Sequence, residues 1–228
     1  MALLDKIGHV LTADITKDFK LKKKNIEMDT SVSFVEQLKK RRSIYDLGKK
    51  VHFSQAYIAE LIQESVRCCP SAYNSQSTRI VVLFGDSHQQ FWDIVKEVQR
   101  KNVAAHIFEG AALKVDQCAD AFGTVLFYED QQVIQQLQKK VPFSAEDFPV
   151  WSEQTSGMAQ FAVWTSIADA GMGASLQHYN PHIDQAIANF LGINEHWLLR
   201  AQLVFGSVEG NAPVREEPED QERFRIYT

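Results

Sequence analysis

A chain of 228 residues with 45% hydrophobic and 23% charged residues is long enough to bury its own core, as one large domain or two small ones. Its net charge of −5 argues against a nucleic-acid partner, and no apolar run approaches the roughly 20 residues that a membrane-spanning helix needs. Cys68, Cys69 and Cys118 make no disulfide framework, and residues 1–9 lack a secretory pattern, so reduced thiols and a cytoplasmic setting are expected.

Residues 1–30 stand apart, with Lys17, Lys20, Lys22, Lys23 and Lys24 clustered and little apolar periodicity after Leu11; they read as an N-terminal arm. Residues 31–228 read as a single domain whose folded body begins near Ser33. Val35, Leu38 and the basic run 39–42 suggest a first helix. Ser54 is a plausible N-cap for a second, with Tyr57, Ile58, Leu61, Ile62, Val66 and Cys69 on its apolar face and Pro70 as its stop. Residues 79–84 (RIVVLF) form a β-branched run expected to be a buried strand. Asp86 with Gln89 gives a cap-like start to a helix carrying Phe91, Ile94, Val95 and Val98. Residues 121–128 are a second strand candidate.

Residues 157–170 are apolar nearly all round, which predicts a central helix packed on several sides and ended by Gly171 and Gly173. Asn180 as cap and Pro181 at the first helical position start the next helix, which buries Ile183, Ile187, Phe190 and Leu191 and stops at Gly192. Residues 198–205 read as a third strand, followed by a polar tail. Helices and short strands therefore interleave, as in an α+β or three-layer α/β arrangement.

Several familiar sites are missing: no G-x-G-x-x-G, no Walker A, no G-x-S-x-G and no H-E-x-x-H. His178 and His182 have the spacing of zinc ligands on a helix, but Asn180 and Pro181 break that helix, and no metal is expected. Four polar clusters remain: Arg41-Arg42-Ser43-Ile44-Tyr45, residues 70–76 (PSAYNSQ), residues 171–178 (GMGASLQH), and Arg223-Phe224-Arg225. Taken singly, each has a plain reading as a solvated helix end, a polar turn, a helix C-cap or surface charge. Together they suit FMN. Guanidinium forks and the Ser43 hydroxyl answer a dianionic phosphate, and Arg223 and Arg225 would share one face if the tail is extended. Asn74 and Gln76, on an extended loop, would meet the polar rim of the ring, and the glycine-rich stretch would let backbone approach its N5.

These clusters resemble the nitroreductase family of FMN-dependent oxidoreductases, over about residues 33–227. Arg41-Arg42-Ser43 is similar to the family's phosphate-binding opening. Residues 70–76 are similar to its Pro-Ser-x-x-Asn-x-Gln flavin loop. The run 148–152 (FPVWS) and the form Arg-Arg-Ser-Ile-Tyr resemble the Frm2-like branch tied to fatty-acid signalling and oxidative stress. Tyr45 stands where many relatives carry Arg, and Ser77-Thr78 where many carry Pro-Trp.

The resemblance implies a three-layer α/β/α fold, with a mixed, mainly antiparallel sheet around a buried central helix, in a domain-exchanging homodimer. It implies FMN held by Arg41, Arg42, Ser43, Tyr45, Ser71, Asn74, Gln76, Ala174, Ser175, Leu176, Arg223 and Arg225, the C-terminal tail reaching the partner subunit. Hydride would pass from NADH or NADPH through flavin N5 to nitroaromatics or quinones in a ping-pong cycle. No catalytic side chain is assigned, and Tyr73 and His178 would line the acceptor pocket. A flavin-binding redox sensor with little turnover is the alternative, motivated by Tyr45, Ser77 and Thr78. A thiol protein working through Cys68 and Cys69 is a third reading.

Overall fold

The computed structural model describes residues 34–216 and 223–228, so the expected N-terminal arm lies outside the described residues. In chain order the helices are α1 (Phe34–Lys40), α2 (Gln55–Arg67), α3 (Gly85–Asn102), α4 (Ala105–Ala119), α5 (Gln131–Lys140), α6 (Phe148–Asp169) and α7 (Asp184–Leu191). The strands are β1 (Leu47–Gly48), β2 (Thr78–Phe84), β3 (Gly123–Asp130), β4 (Gly173–Gln177) and β5 (Trp197–Val208). Among the described residues no helix is long and apolar enough to cross a membrane.

The sheet is organised by β5, the last strand in the chain. Its residues 197–205 pair antiparallel with β3, which pairs antiparallel with β2. On its other side β5 takes β4 and then β1, both antiparallel. A parallel bridge from Ser43 to Ala174 extends the sheet beyond β4. Side chains alternate across these strands, so each face collects its own apolar cluster. Val125, Phe127, Ala201, Leu203 and Phe205 pack with Ile58 and Ile62 of α2 and Ala159, Val163 and Ile167 of α6. Leu83, Leu126, Tyr128 and Val204 pack with Phe91, Trp92 and Val95 of α3, Val115 of α4 and Ile187 of α7. The result is the three-layer α/β/α arrangement with a mainly antiparallel sheet.

One polar chain crosses the second of these layers. Trp92 Nε1–H donates to Thr124 Oγ1 at 2.9 Å, and His88 Nδ1 lies 2.9 Å from the same hydroxyl. With Nε2 protonated, His88 donates to the Ala119 carbonyl at 3.2 Å while Nδ1 accepts from Thr124. Burial pushes the His88 pKa down to about 4, so the ring is neutral in the folded protein.

Central helix α6 meets α1, α2, α5 and four strands of the sheet. Buried residues such as Thr155, Ala159, Val163 and Ile167 run along it, yet Met158 and Phe161 remain 40% and 44% exposed. The expected all-round apolar helix is therefore present, with one side uncovered in the single chain.

Several local expectations are corrected. Ser54 does cap α2, accepting from the Tyr57 N–H at 3.2 Å. Asp86, by contrast, lies inside the first turn of α3, which opens at Gly85 in left-handed backbone (φ 52) after Phe84. Asn180 caps nothing: it accepts from Gln202 Nε2 at 3.1 Å, and α7 starts only at Asp184. The stretch 173–177 is a strand, because β5 supplies partners for residues with little strand preference of their own. Gly173 is small for packing reasons, since a Cβ there would lie 2.8 Å from Leu47 Cδ2 and 3.0 Å from Ile44 Cβ.

Candidate functional site

The first cluster forms where α1 ends and the chain runs along the outer edge of β4. The Ile44 N–H donates to the Ala174 carbonyl at 3.0 Å, so Arg41, Arg42 and Ser43 are held at this edge by the sheet itself. The Arg41 guanidinium lies 4.4 Å from the centroid of the Trp164 ring on α6. Arg42 donates through Nη2 to the Pro213 carbonyl, tying the C-terminal segment to the same place. Partial burial, followed by the like charges of Arg215 and Arg42, lowers the Arg41 pKa. Among the described residues no carboxylate forms an ion pair with Arg41 or Arg42. The like charges of Arg41 and Arg42 disfavour one another, and a phosphate ester has the charge and acceptor geometry to answer both. The Trp164 Nε1–H, buried without a partner, is a further donor on this edge.

Within β4, Ala174 and Ser175 are buried, and Ser175 Oγ accepts from Gln177 Nε2 at 3.1 Å. Their side chains are spent on the core, so what they offer a ligand is backbone rather than side chain. Leu176 is half-buried, Tyr45 is 48% exposed and His178 is exposed.

The second cluster follows Pro70. It is a tight turn, not the expected extended loop: Tyr73, Asn74 and Gln76 all have positive φ, at 54, 51 and 47. Left-handed backbone at a residue other than glycine costs of order 1–3 kcal/mol, so something must hold it. Ser71 Oγ accepts the Gln76 N–H at 3.0 Å, and the Arg79 guanidinium reaches back to the Gln76 carbonyl at 2.6 Å while pairing with Asp130 at 3.0 Å. The turn brings the two amides together, Gln76 Nε2 donating to Asn74 Oδ1 at 3.0 Å. Tyr73 is thrown outward, 60% exposed, and stacks on Trp151 at a centroid distance of 6.0 Å and an interplanar angle of 20°. Ser71, Asn74, Gln76, Thr78 and Thr155 line a cavity of about 290 Å³. That is at the lower end of the roughly 300–1,000 Å³ of ordinary ligand clefts.

Just behind it lies Glu129, fully buried. Its Oε2 is 2.6 Å from Ser77 Oγ and its Oε1 is 2.6 Å from Thr78 Oγ1. Burial outweighs these two hydroxyls and raises the Glu129 pKa.

The two clusters are not brought together within one chain. Ser43 stands at one edge of the sheet and β2 at the other, four interstrand steps or about 19 Å away. Helix α6 also lies between them. Trp164, under Arg41, follows Thr155, beside the Asn74 turn, by about two and a half turns, so the two residues point to opposite sides of the helix. Arg223 and Arg225 make no hydrogen bond or ion pair with residues 41–43 among the described residues. Arg223 has helical backbone and lies 5.3 Å from the ring of Phe224, so the alternation expected of an extended tail does not apply.

Sequence reasoning missed four residues. Arg215 sits in an acidic stretch where a lone basic residue reads as surface charge. Trp164 looked like one more core residue of an apolar helix. Trp151 entered only as part of a branch signature. Glu129 ends an apolar strand, where a carboxylate usually turns to solvent.

Comparison with known proteins agrees with this architecture. The family model described as "Nitroreductase family" matches residues 38–207. Nitroreductase FRM2 of Saccharomyces cerevisiae is 32% identical over 184 residues, covering 78% of this chain and 90% of the relative. The solved nitroreductase CinD of Lactococcus lactis, in complex with chloramphenicol, is 43% identical with a TM-score of 0.79, covering 86% of this chain and 100% of that one. A protein of Desulfovibrio desulfuricans solved in complex with FMN shares the fold, with a TM-score of 0.62 at 18% identity, covering 85% of this chain and 96% of its own.

Proposed function

The chain belongs to the nitroreductase family of oxidoreductases, and from that premise we propose that it binds FMN between two copies of itself and reduces nitroaromatics or quinones with NADH or NADPH. The observation that carries this reading is the crowding of Arg41, Arg42 and Arg215 at the β4 edge with no carboxylate ion pair to Arg41 or Arg42. Those guanidinium groups and Ser43 would hold the phosphate. The backbone of residues 174–176 would lie along the ring, and Ser71, Asn74 and Gln76 would close on it from a second copy, since they cannot reach it within the same chain.

Two further observations support the second copy. A groove of about 430 Å³ between α1, α2 and α6 is lined by Phe34, Leu61, Phe161 and Ala162. The exposed Met158 and Phe161 continue it. Arg223 and Arg225, at the far end of the C-terminal segment, are assigned to the partner's phosphate.

When bound, FMN supplies the hydride-accepting and hydride-donating chemistry. The protein's part is to bind and orient. The Arg79-stapled turn fixes the two amides in place before any ligand arrives, which removes an ordering cost from binding. Tyr73 on Trp151 offers a flat, partly exposed face to an aromatic acceptor, and His178 is assigned to the opposite wall. Burial raises the Cys69 pKa, which disfavours its thiolate and counts against a thiol mechanism.

A spectrum of the purified protein tests the reading. The expected result is a yellow protein that bleaches anaerobically with NADH or NADPH and recovers its colour on adding 4-nitrophenol or a quinone, with parallel-line steady-state kinetics. A colourless protein that takes up no added FMN overturns it. FMN that binds but stays oxidised with both nicotinamides replaces the enzyme with a redox sensor.

A further inference from the structure

Hydride reduction of a nitro group or a quinone also consumes protons. For a nitro compound, one hydride and one proton give the nitroso compound and water, and that proton comes either from water or from a group at the cavity. Thr78 lines the cavity formed by the Asn74 turn, and Glu129 lies directly behind it. Glu129 has no access to solvent of its own, and Ser77 is equally buried, so its only contact that leads outward is the one through Thr78.

The two protonation states of Glu129 have opposite consequences for Thr78. As a carboxylate, Glu129 only accepts, so both hydroxyls turn their hydrogens inward and Thr78 presents no donor to the cavity. As an acid, Glu129 donates to Thr78 Oγ, and the hydroxyl hydrogen of Thr78 is free to point outward. We propose that Glu129 is the internal acid of this site, delivering a proton to the cavity through the Thr78 hydroxyl when the acceptor is reduced. In that step the Glu129 O–H bond breaks as a new bond forms at Thr78 Oγ. The original Thr78 proton passes to the acceptor oxygen, and Glu129 is left as a carboxylate to be reprotonated from solvent. Glu129 acts only through Thr78 and is a positioning residue.

Burial is the largest influence on this carboxyl and raises its pKa. Glu153 on α6 raises the Glu129 pKa, and Arg200 on β5 holds Glu153 by an ion pair at 2.9 Å. Arg79 on β2 acts the other way but is committed to Asp130 at 3.0 Å. The Thr78 side chain makes the connection, while the buried Ser77 holds the other carboxyl oxygen; an apolar residue at 78 would leave the carboxyl without an outlet.

This inference rests on the flavin reading, and the experiment separates the two. Infrared difference spectra across a pH series, taken on the protein with and without FMN, should show the carbonyl stretch of a protonated carboxylic acid that fades as pH rises and is absent in Glu129→Gln. In stopped-flow reoxidation of the prereduced protein by 4-nitrophenol, the unmodified rate should fall as Glu129 ionises. Thr78→Val should lower the rate about tenfold or more and abolish that pH dependence, and Thr78→Ser should restore both. Thr78→Val keeps the size of the side chain and serves where Glu129→Gln fails to fold. A protonated-acid band that does not titrate together with the reoxidation rate, or an unchanged pH profile in Thr78→Val, overturns the relay. Failure to bind FMN at all overturns the flavin reading instead.

Discussion

The division of the site between opposite sides of α6 predicts a particular pattern of complementation. One variant carries Arg41→Ala with Arg42→Ala; the other carries Asn74→Gly with Gln76→Gly, which removes the amides while tolerating positive φ. Each charge-assisted contact to a phosphate is worth about 1.5–3 kcal/mol, so the arginine variant should lose roughly 3–6 kcal/mol, or about 10²–10⁴-fold in FMN affinity. Two neutral amide contacts at about 0.5–1.5 kcal/mol each give the turn variant a loss of about 5- to 150-fold. Now let the two variants be co-expressed with different tags and the mixed dimer isolated. One of its sites combines both lesions, and the other takes intact arginines from one copy and an intact turn from the other. The mixed dimer should therefore hold one FMN with the affinity of the unmodified protein, read by fluorescence titration against FMN, while neither parent dimer does at that concentration. A mixed dimer without a tight site would refute the two-copy site. So would a parent that binds like the unmodified protein, because its residues would then not touch the cofactor.

Removing Arg223 and Arg225 together should also weaken FMN retention, by about tenfold or more on the same energetic grounds, measured by dialysis and residual absorbance; equal retention would free the tail of its assigned role. Stability should fall with acid through His88. The folded chain keeps this ring neutral down to about pH 4 while the unfolded chain protonates near the ordinary histidine value of 6.5, so the stabilisation is intact above pH 6.5. It is lost as pH drops from 6.5 to 4, by about 3 kcal/mol. Urea unfolding at several pH values should show this loss in the unmodified protein and not in His88→Gln; parallel curves would contradict it. Changing Cys68 and Cys69 together to serine should leave reductase activity unchanged, and an inactive but folded double variant would revive a thiol mechanism.

How much of this was legible in sequence depended on whether a local pattern carried the information. The periodicity of Ile58 and Ile62, the cap at Ser54, the stop at Gly192 and the run at 79–84 each state their structure locally, and each is present. Helices α4 and α5 were not read. Only the far end of α4 is buried, at Val115, Cys118 and Ala119, and α5 buries Ile134 alone, so neither writes a long apolar stripe. Strand β4 has almost no intrinsic signal and exists because β5 is beside it. At the site, residue types were visible but conformation was not. No glycine marks the three left-handed residues at 73, 74 and 76, whose geometry is imposed from outside by Ser71 and Arg79. The like-charge contribution of Arg215 at Arg41 joins positions 174 residues apart, beyond any local pattern.

Because the strand that joins the sheet comes after the others it pairs with, the order of synthesis bears on how the sheet forms. The antiparallel β2–β3 pair, with α3 and α4 between its strands, is available once residue 130 has emerged. Both Leu47–Gly48 and Gly173–Gln177, however, must wait for residues 197–208 before their ladders can close. Until then the nascent chain carries open backbone edges and an uncovered apolar layer, the condition in which holdase chaperones engage and misassociation starts. Ribosome-stalled chains halted before residue 197 should remain protease-sensitive, and resistance should appear abruptly once the final strand clears the exit tunnel.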